Sequence, residues 1–159
     1  MRRMISRSMG ALCATVALGA MVAARPSPRQ ANGQTVYNDV CAVCHQPSGE
    51  GTEETYPPLA GSEWVNGDAG RMVRIILNGL TGPVSVQGVE FNSVMPPWGA
   101  TLNDAQVAAV ATYVRSSWGN KGGPVTAAEV AAIRAATRAR TTPWTVRELM
   151  TATVTATEK

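Results

Sequence analysis

Apolar residues recur three to four positions apart in three segments of this 159-residue chain, and stretches rich in glycine and proline separate them. That spacing places them on one face of an α-helix. The sequence therefore predicts a mainly α protein with helices over residues 33–44, 68–78 and 103–118. Their apolar positions are Val36, Tyr37, Val40 and Val43 in the first, Met72, Ile75 and Ile76 in the second, and Val107, Val110, Ala111, Val114 and Trp118 in the third.

Polar residues and glycines mark the ends of the second and third helices. Asp68 and Asn103 precede them, and a short polar side chain at that position accepts a hydrogen bond from an otherwise unpaired backbone N–H group. Gly79 and Gly119 follow the last apolar position of each helix. Glycine is favoured there because it adopts the left-handed backbone conformation that ends many helices.

Two short apolar segments between these helices predict a small β-hairpin. Val84–Val86 and Val89–Phe91 flank Gln87 and Gly88, a two-residue connection of the kind that closes hairpins. Residues 46–58 contain two glycines, three prolines and three glutamates, and no hydrophobic period survives there. This segment is predicted to be a loop.

The C-terminal part of the chain is predicted to be a helical extension. Residues 119–124, with three glycines and a proline, interrupt any helical period and indicate a domain edge. Thr126 with Glu129, and Thr145 with Glu148, then have the spacing of a capping box. Two short helices with thin apolar faces are expected. Three roles stay open for the extension: it wraps the preceding domain, binds a partner or remains mobile.

The N-terminus has the pattern of a secretory signal. Residues 1–24 begin with three arginines, continue as an apolar run and end in small residues. That run is shorter than the ~20 residues that comfortably span a bilayer, so a cleaved signal is favoured over a retained anchor. Cys13 would be removed with it. The predicted organisation is a signal (1–24), a short lead (25–32), one domain (33–119) and the extension (120–159).

Cys41-Ala42-Val43-Cys44-His45 is the motif that carries chemistry, because it is typical of a c-type haem attachment site. Two thiols three positions apart lie on one side of a helical turn, where both can form thioether bonds to the vinyl groups of one porphyrin. The next residue, His45, is then placed beneath the ring. It is the only histidine of the chain, so a second histidine cannot complete the coordination of an iron.

Three other interpretations of the motif explain fewer of its features than haem attachment does. A structural zinc site needs about four Cys or His ligands, and Cys41, Cys44 and His45 supply three. A thioredoxin-like redox pair is expected after a strand, and no apolar strand precedes Cys41. A plain disulfide leaves the neighbouring histidine unexplained. An exported protein in the oxidising bacterial periplasm is consistent with haem attachment.

The distribution of charge argues against a nucleic-acid-binding protein. Residues 33–118 carry three arginines against eight carboxylates, for a net charge of −5, whereas residues 119–159 carry six cations against three anions. The acidic part favours a basic docking partner, with ordinary solvated surface charge as the alternative. The chain has a single phenylalanine and few aromatic residues, so a porphyrin would supply apolar bulk that the side chains lack.

One methionine is a candidate second axial ligand. Met95 lies in a non-helical stretch, and Pro96 and Pro97 stiffen the backbone directly after it. A weak thioether ligand needs such a fixed segment. Met72 shares a helical face with isoleucines, so core packing is its expected role, and Met150 lies in the extension. The alternative for Met95 is that it fills a gap in the core.

Taken in order, the first helix, the Cys-x-x-Cys-His motif, the proline loop, the methionine loop and the last helix resemble the class I cytochromes c over residues 33–118. Gly33 and Tyr37 match the small and aromatic positions of the family's first helix, and Val110 and Tyr113 match the contact positions of its last helix. The resemblance implies helices arranged around one covalently attached haem c. The hairpin and the C-terminal extension depart from the minimal family fold.

The resemblance also implies further haem contacts. Pro57 lies twelve residues after His45, as does the family proline whose carbonyl group accepts a hydrogen bond from the ligand histidine. Leu59 would then pack on the ring. Trp64 is a candidate donor to a haem propionate, with ordinary packing as the alternative. His45 and Met95 would be the two axial ligands.

Closed His/Met ligation leaves no position for a substrate, so the resemblance implies a periplasmic carrier of single electrons rather than an enzyme. A periplasmic dehydrogenase, quinoprotein dehydrogenases included, would be the donor, and a terminal oxidase or another cytochrome the acceptor. Two alternatives remain open. One is a tightly bound electron-transfer subunit of a dehydrogenase or an oxidase. The other is a peroxidase-like enzyme or gas sensor, which requires a labile Met95.

Overall fold

The computed structural model describes residues 31–152. The predicted signal and nearly all of the predicted lead lie outside the described residues. In chain order the elements are α1 (Gly33–Val36), a π-helical turn (Tyr37–Cys41), α2 (Ala42–His45), α3 (Glu63–Asn66), α4 (Ala69–Asn78), β1 (Val84–Val86), β2 (Val89–Phe91), α5 (Asp104–Ser116), α6 (Ala127–Thr137) and α7 (Val146–Thr151). The prediction of a mainly α fold with one small hairpin is confirmed.

The first predicted helix is present, but its winding changes partway. α1, the π-helical turn and α2 follow one another without a break, and the side chain of Asn32 caps the N-terminus by accepting from the N–H groups of Gln34 and Thr35. In the π turn the N–H group of Ala42 donates to the carbonyl group of Tyr37, five residues back. Hydrophobic spacing alone does not distinguish this wider turn from an α-helical one.

The first helix crosses α5, and aromatic side chains fill the space beside the crossing. Tyr37 is fully buried, and its ring centroid lies 5.6 Å from that of Tyr113 and 4.9 Å from that of Trp118. The Tyr37 hydroxyl donates to the carbonyl oxygen of Gln46 at 2.6 Å. These contacts join the segment that carries the two cysteines to the last helix of the domain.

The predicted caps of α4 and α5 are confirmed. Asp68 accepts from the backbone of α4, and Asn103 forms a full capping box with Gln106 at the start of α5. The predicted end of α5 is wrong, because the helix stops at Ser116 and Trp118 has a positive φ of 50°. The Ser117 hydroxyl donates to the carbonyl group of Tyr113, the acceptor that the Ser117 N–H group would have if the helix continued.

The hairpin forms at the predicted positions. Val84 pairs with Phe91, and Val86 pairs with Val89, in an antiparallel register. Gln87 and Gly88 both have positive φ angles, as the tight two-residue turn requires. The structure also contains α3, which hydrophobic spacing did not predict because it is only one turn long.

The extension wraps the preceding domain as far as the structure describes it. Both predicted capping boxes are present, at the starts of α6 and α7. Val130 of α6 is fully buried in the main core cluster, and Leu149 of α7 is buried in a second cluster beside the hairpin. The glycine-rich junction is anchored as well, since Asn120 is buried and its amide bonds to the carbonyl groups of Leu59 and Val114.

Within residues 31–152, no helix is long and apolar enough to cross a membrane.

Candidate functional site

The two cysteines and the histidine of the motif lie at the end of the first helical segment. Cys41 ends the π-helical turn, and Cys44 and His45 belong to α2. Both thiols are free and partly exposed. Burial, and secondarily the neighbouring Cys44, raise the pKa of Cys41 to about 11. Within residues 31–152, no group of three or more His, Cys, Asp and Glu side chains is arranged to hold a metal ion.

His45 is held in one orientation. The residue is 9% exposed, and its Nδ1 lies 3.0 Å from the carbonyl oxygen of Pro57. A carbonyl oxygen only accepts, so Nδ1 carries the proton and Nε2 is left as the basic nitrogen. Burial lowers the pKa of His45, and the hydrogen bond to Pro57 opposes that shift in part. The neutral imidazole with a free Nε2 is the form that binds a metal.

The loop after the motif places the Pro57 carbonyl beneath the histidine. Gly51 donates to the carbonyl group of His45 at 3.0 Å, and Thr52 pairs with Tyr56 across the loop. Gly51 has a φ of 72°, and a Cβ there would lie 2.2 Å from the carbonyl oxygen of Tyr56. The loop is therefore closed on itself at a position where only glycine fits.

Two adjoining cavities open beside the motif, and their walls are mostly apolar. The residues that line both are Cys41, His45, Pro57, Leu80, Val84 and Met95. Paired thiols, a free imidazole nitrogen and an apolar space shared between them are the features a covalently attached haem requires, so the residues present fit that group.

Met95 lines both cavities with His45, which brings the two predicted axial ligands to one site. Its backbone pairs with Leu80 in an antiparallel bridge, with N···O distances of 2.9 and 3.0 Å. Gly79 makes this approach possible, because a Cβ there would lie 2.5 Å from the Met95 carbonyl oxygen. Trp98, three residues on, donates to the carbonyl group of Ile76. The methionine segment is thus fastened to the end of α4.

Leu59 and Trp64 both line the second cavity, as a haem-contact role requires. The predicted role of the Trp64 indole as a donor to a propionate does not match its bonding, because Nε1 donates to the carbonyl oxygen of Ser85 at 2.8 Å. The guanidinium group of Arg71 stacks on the same ring at 4.5 Å. Trp64 therefore offers the cavity its ring rather than its N–H group.

The sequence analysis missed the part played by Leu80 and the hairpin in this site. Leu80 lines both cavities and carries the backbone that pairs with Met95. Val84 and Phe91 of the hairpin line the first cavity. The only local signal was an apolar residue directly after the helix-ending Gly79, and it did not indicate which segment Leu80 would meet.

Comparison with known proteins places the chain among haem proteins. The family model described as Cytochrome c matches residues 30–118. Cytochrome c-552 of Thermus thermophilus is 39% identical over 115 residues, which cover 67% of this chain and 86% of the relative. The gluconate 2-dehydrogenase cytochrome c subunit of Pantoea cypripedii is 41% identical over 108 residues, covering 64% of this chain and 24% of the subunit.

In a third relative, as in the gluconate 2-dehydrogenase subunit, the match covers only a small part of the relative's length. The cytochrome c subunit of the quinone alcohol dehydrogenase of Komagataeibacter europaeus is 36% identical over 104 residues, covering 64% of this chain and 22% of the subunit. The chain therefore spans most of the length of the cytochrome c-552 but less than a quarter of either dehydrogenase subunit.

Proposed function

The chain belongs to the cytochrome c family, and we propose that it is a periplasmic carrier of single electrons whose one haem c is ligated by His45 and Met95. The observation that carries the proposal is the shared cavity. His45 is oriented there by Pro57, and Met95 lines the same space from a segment fastened to Leu80. Covalently attached haem c and electron transfer follow from membership of the family.

Each residue of the site has a defined task in this proposal. Cys41 and Cys44 hold the porphyrin by thioether bonds, and the bond from His45 to Pro57 keeps Nε2 available as a ligand. When bound, the haem supplies one-electron redox chemistry, and a methionine ligand raises its reduction potential. Leu80, Val84 and their neighbours give the site a mostly apolar lining.

An exposed apolar edge beside the first cavity supports electron exchange with a partner. Val94 is 61% exposed and lines the cavity together with Pro96, which is also exposed. Small, short-lived contacts are typical of redox encounters. A periplasmic dehydrogenase as donor, and a terminal oxidase or another cytochrome as acceptor, are the partners we propose. Val94→Glu is expected to slow electron exchange with such a partner and to leave the haem spectrum unchanged.

The experiment that tests the ligand set is the optical spectrum of the haem-loaded protein, ferric and ferrous, with and without carbon monoxide. The unaltered protein should show the weak far-red sulfur-to-iron band and should not respond to the gas. Met95→Ala should keep the covalent haem, lose that band, bind carbon monoxide and have a lower reduction potential. Met150→Ala is the matched control, since Met150 lies outside both cavities and is 66% exposed.

An unchanged reduction potential in Met95→Ala would remove Met95 from the ligand set. A response of the unaltered protein to carbon monoxide would instead mean an open or labile sixth position. In that case the gas sensor or peroxidase-like enzyme replaces the electron carrier as the leading function.

The second candidate function is a tightly bound electron-transfer subunit of a dehydrogenase or oxidase. The similarity to dehydrogenase cytochrome c subunits favours it. Co-purification with an enzyme that survives high salt would support this function, and an isolated, fully soluble cytochrome would count against it. The buried Val130 and Leu149 pack against this chain's own domain, so the exposed face of the extension is the part left for a partner.

A further inference from the structure

The backbone around Leu80 is paired on both of its sides. Leu80 donates to the carbonyl group of Met95 at 3.0 Å and accepts from the Met95 N–H group at 2.9 Å. On the other side it forms a parallel bridge with Trp144 of the extension. There the Trp144 N–H group donates to Gly79 at 3.0 Å, and the Trp144 carbonyl group accepts from Thr81 at 2.8 Å. One residue thus joins the methionine segment to the extension.

Side-chain packing also connects the extension to the segment around Leu80. Trp144 and Leu149 are 9% and 4% exposed, and both are buried in the same cluster as Leu80, Val84 and Phe91. Those last three line the first cavity, whereas Trp144 and Leu149 line neither cavity. The part of the extension around Trp144 and Leu149 therefore packs behind this wall of the haem site, against Leu80 and the hairpin.

Trp144 is itself fixed from several directions. The guanidinium group of Arg140 stacks on its ring at 3.6 Å and also bonds to Glu148 at 2.8 Å. Glu148 caps α7 by accepting from the backbone and the hydroxyl group of Thr145. The indole N–H group donates to the side chain of Asn78 at 3.4 Å. A residue held in this way can restrain the backbone around Leu80, with which it pairs.

We propose that Trp144, supported by Leu149, is a positioning residue for Met95. By pairing with the far side of Leu80 and packing beneath the hairpin, it keeps the methionine segment from opening away from the cavity. The inference rests on the proposed ligation by Met95. It assigns to the extension, which lies beyond the matched family region of residues 30–118, a task at the haem site.

The physical argument is local stability. Segments of a folded protein open with free energies below that of global unfolding, and those with few buried contacts open most often. A neutral thioether is a weak ligand, so its occupancy depends on how rarely its segment opens. Trp144→Ala would remove a large buried side chain behind Leu80, and Leu149→Ala would remove a smaller one from the same cluster.

The test uses the haem-loaded full chain with Trp144→Ala and Leu149→Ala, and Val130→Ala as the control. Val130 is a buried residue of the extension, but it belongs to the main core cluster and not to the cluster around Leu80. Three quantities are measured: amide hydrogen exchange at Leu80 and Met95, carbon monoxide binding by the ferrous protein, and the thermal unfolding midpoint.

Trp144→Ala is expected to speed exchange at the Leu80 and Met95 amides by about tenfold or more and to admit carbon monoxide. Leu149→Ala should also speed amide exchange and admit carbon monoxide, but to a smaller extent. It provides the test if Trp144→Ala does not fold. Val130→Ala should lower the thermal unfolding midpoint but should change neither amide exchange at Leu80 and Met95 nor carbon monoxide binding.

Unchanged exchange and no carbon monoxide binding in the folded Trp144→Ala and Leu149→Ala variants would overturn this inference. Equal effects in Val130→Ala would also overturn it, because they would show general destabilisation. Carbon monoxide binding by the unaltered protein would overturn the proposed Met95 ligation itself, which separates the two failures.

Discussion

A Cβ atom built on Gly33 would lie 2.1 Å from the carbonyl oxygen of Ala109, so the first helix and α5 touch backbone to backbone where they cross. The same Cβ would lie 2.8 Å from that of Tyr113. Ala109 belongs to the middle of a helix and cannot move aside alone. The crossing therefore sets the position of the helical segment that carries the haem motif.

Gly33→Val is expected to destabilise the protein by about 3 kcal/mol or to prevent folding, because overpacking against a helix backbone forces the two helices apart. The free energy of unfolding from chemical denaturation measures this. Gly123→Val is the matched control, since a Cβ there meets nothing within 4 Å. Equal stability of Gly33→Val and the unaltered protein would contradict the close crossing.

Tyr37→Phe tests the hydrogen bond from the first helix to the loop. Removing the hydroxyl group leaves the Gln46 carbonyl oxygen without this partner and should cost about 1 kcal/mol of the free energy of unfolding. Tyr113→Phe serves as the control, because its hydroxyl group makes no hydrogen bond within residues 31–152. A loss of the same size in both variants would show that the bond to Gln46 is not the cause.

Arg115→Met tests a buried cation of α5. Arg115 is 6% exposed, and its guanidinium group donates to the carbonyl groups of Val65, Gly67 and Gly123. Its removal leaves buried acceptors unpaired and should lower the free energy of unfolding by about 3 kcal/mol. Arg138→Met, at an exposed position, should change it little. A small effect at Arg115 would mean that water replaces the lost donors.

Glu148→Gln tests how the extension responds to acid. The hydrogen bond from Arg140, and then those from Thr145, lower the pKa of Glu148 from 4.5 to about 2. A carboxyl group with a depressed pKa stabilises the fold above its unfolded pKa, and the stabilisation is lost as the pH falls through the folded value. The amides of α7 should therefore lose exchange protection between about pH 4.5 and about pH 2.

In Glu148→Gln the α7 amides should be less protected near neutral pH and should change less across that acidic window. Glu90→Gln is the control, because Glu90 is an exposed carboxylate on β2. A pH profile of Glu148→Gln that matches the unaltered protein would show that another group governs the response.

Local patterns predicted most of the secondary structure. The capping residues Asp68, Asn103, Thr126 and Thr145 act on N–H groups within three positions of themselves, so each signal and its effect share one stretch of sequence. The hairpin could be predicted because its two strands and its turn lie within eight consecutive residues. The end of α5 was predicted wrongly because the hydroxyl group of Ser117 competes for a helix carbonyl, and this effect does not alter the apolar period.

At the haem site too, some features could be predicted from neighbouring residues and others could not. Cys41, Cys44 and His45 are adjacent in sequence, so the motif indicated their chemistry without any fold. Their assignment as attachment and ligand residues, with Met95, stays a prediction until the spectra are measured. The Trp64 N–H group, expected to face a propionate, donates in this structure to the Ser85 carbonyl group of the hairpin. No spacing along the chain could reveal that contact.

The Cys-x-x-Cys-His motif, the helix caps and the hairpin could be predicted from the sequence, because each depends on side chains and backbone groups a few residues apart. The position of Leu80 between Met95 and Trp144, and the packing of the extension behind the cavity that His45 and Met95 line, became visible only in the folded chain. Backbone pairing between distant segments leaves no period in the sequence, since every residue carries the same N–H and C=O groups. Which segments meet is settled by how the helices and the hairpin pack.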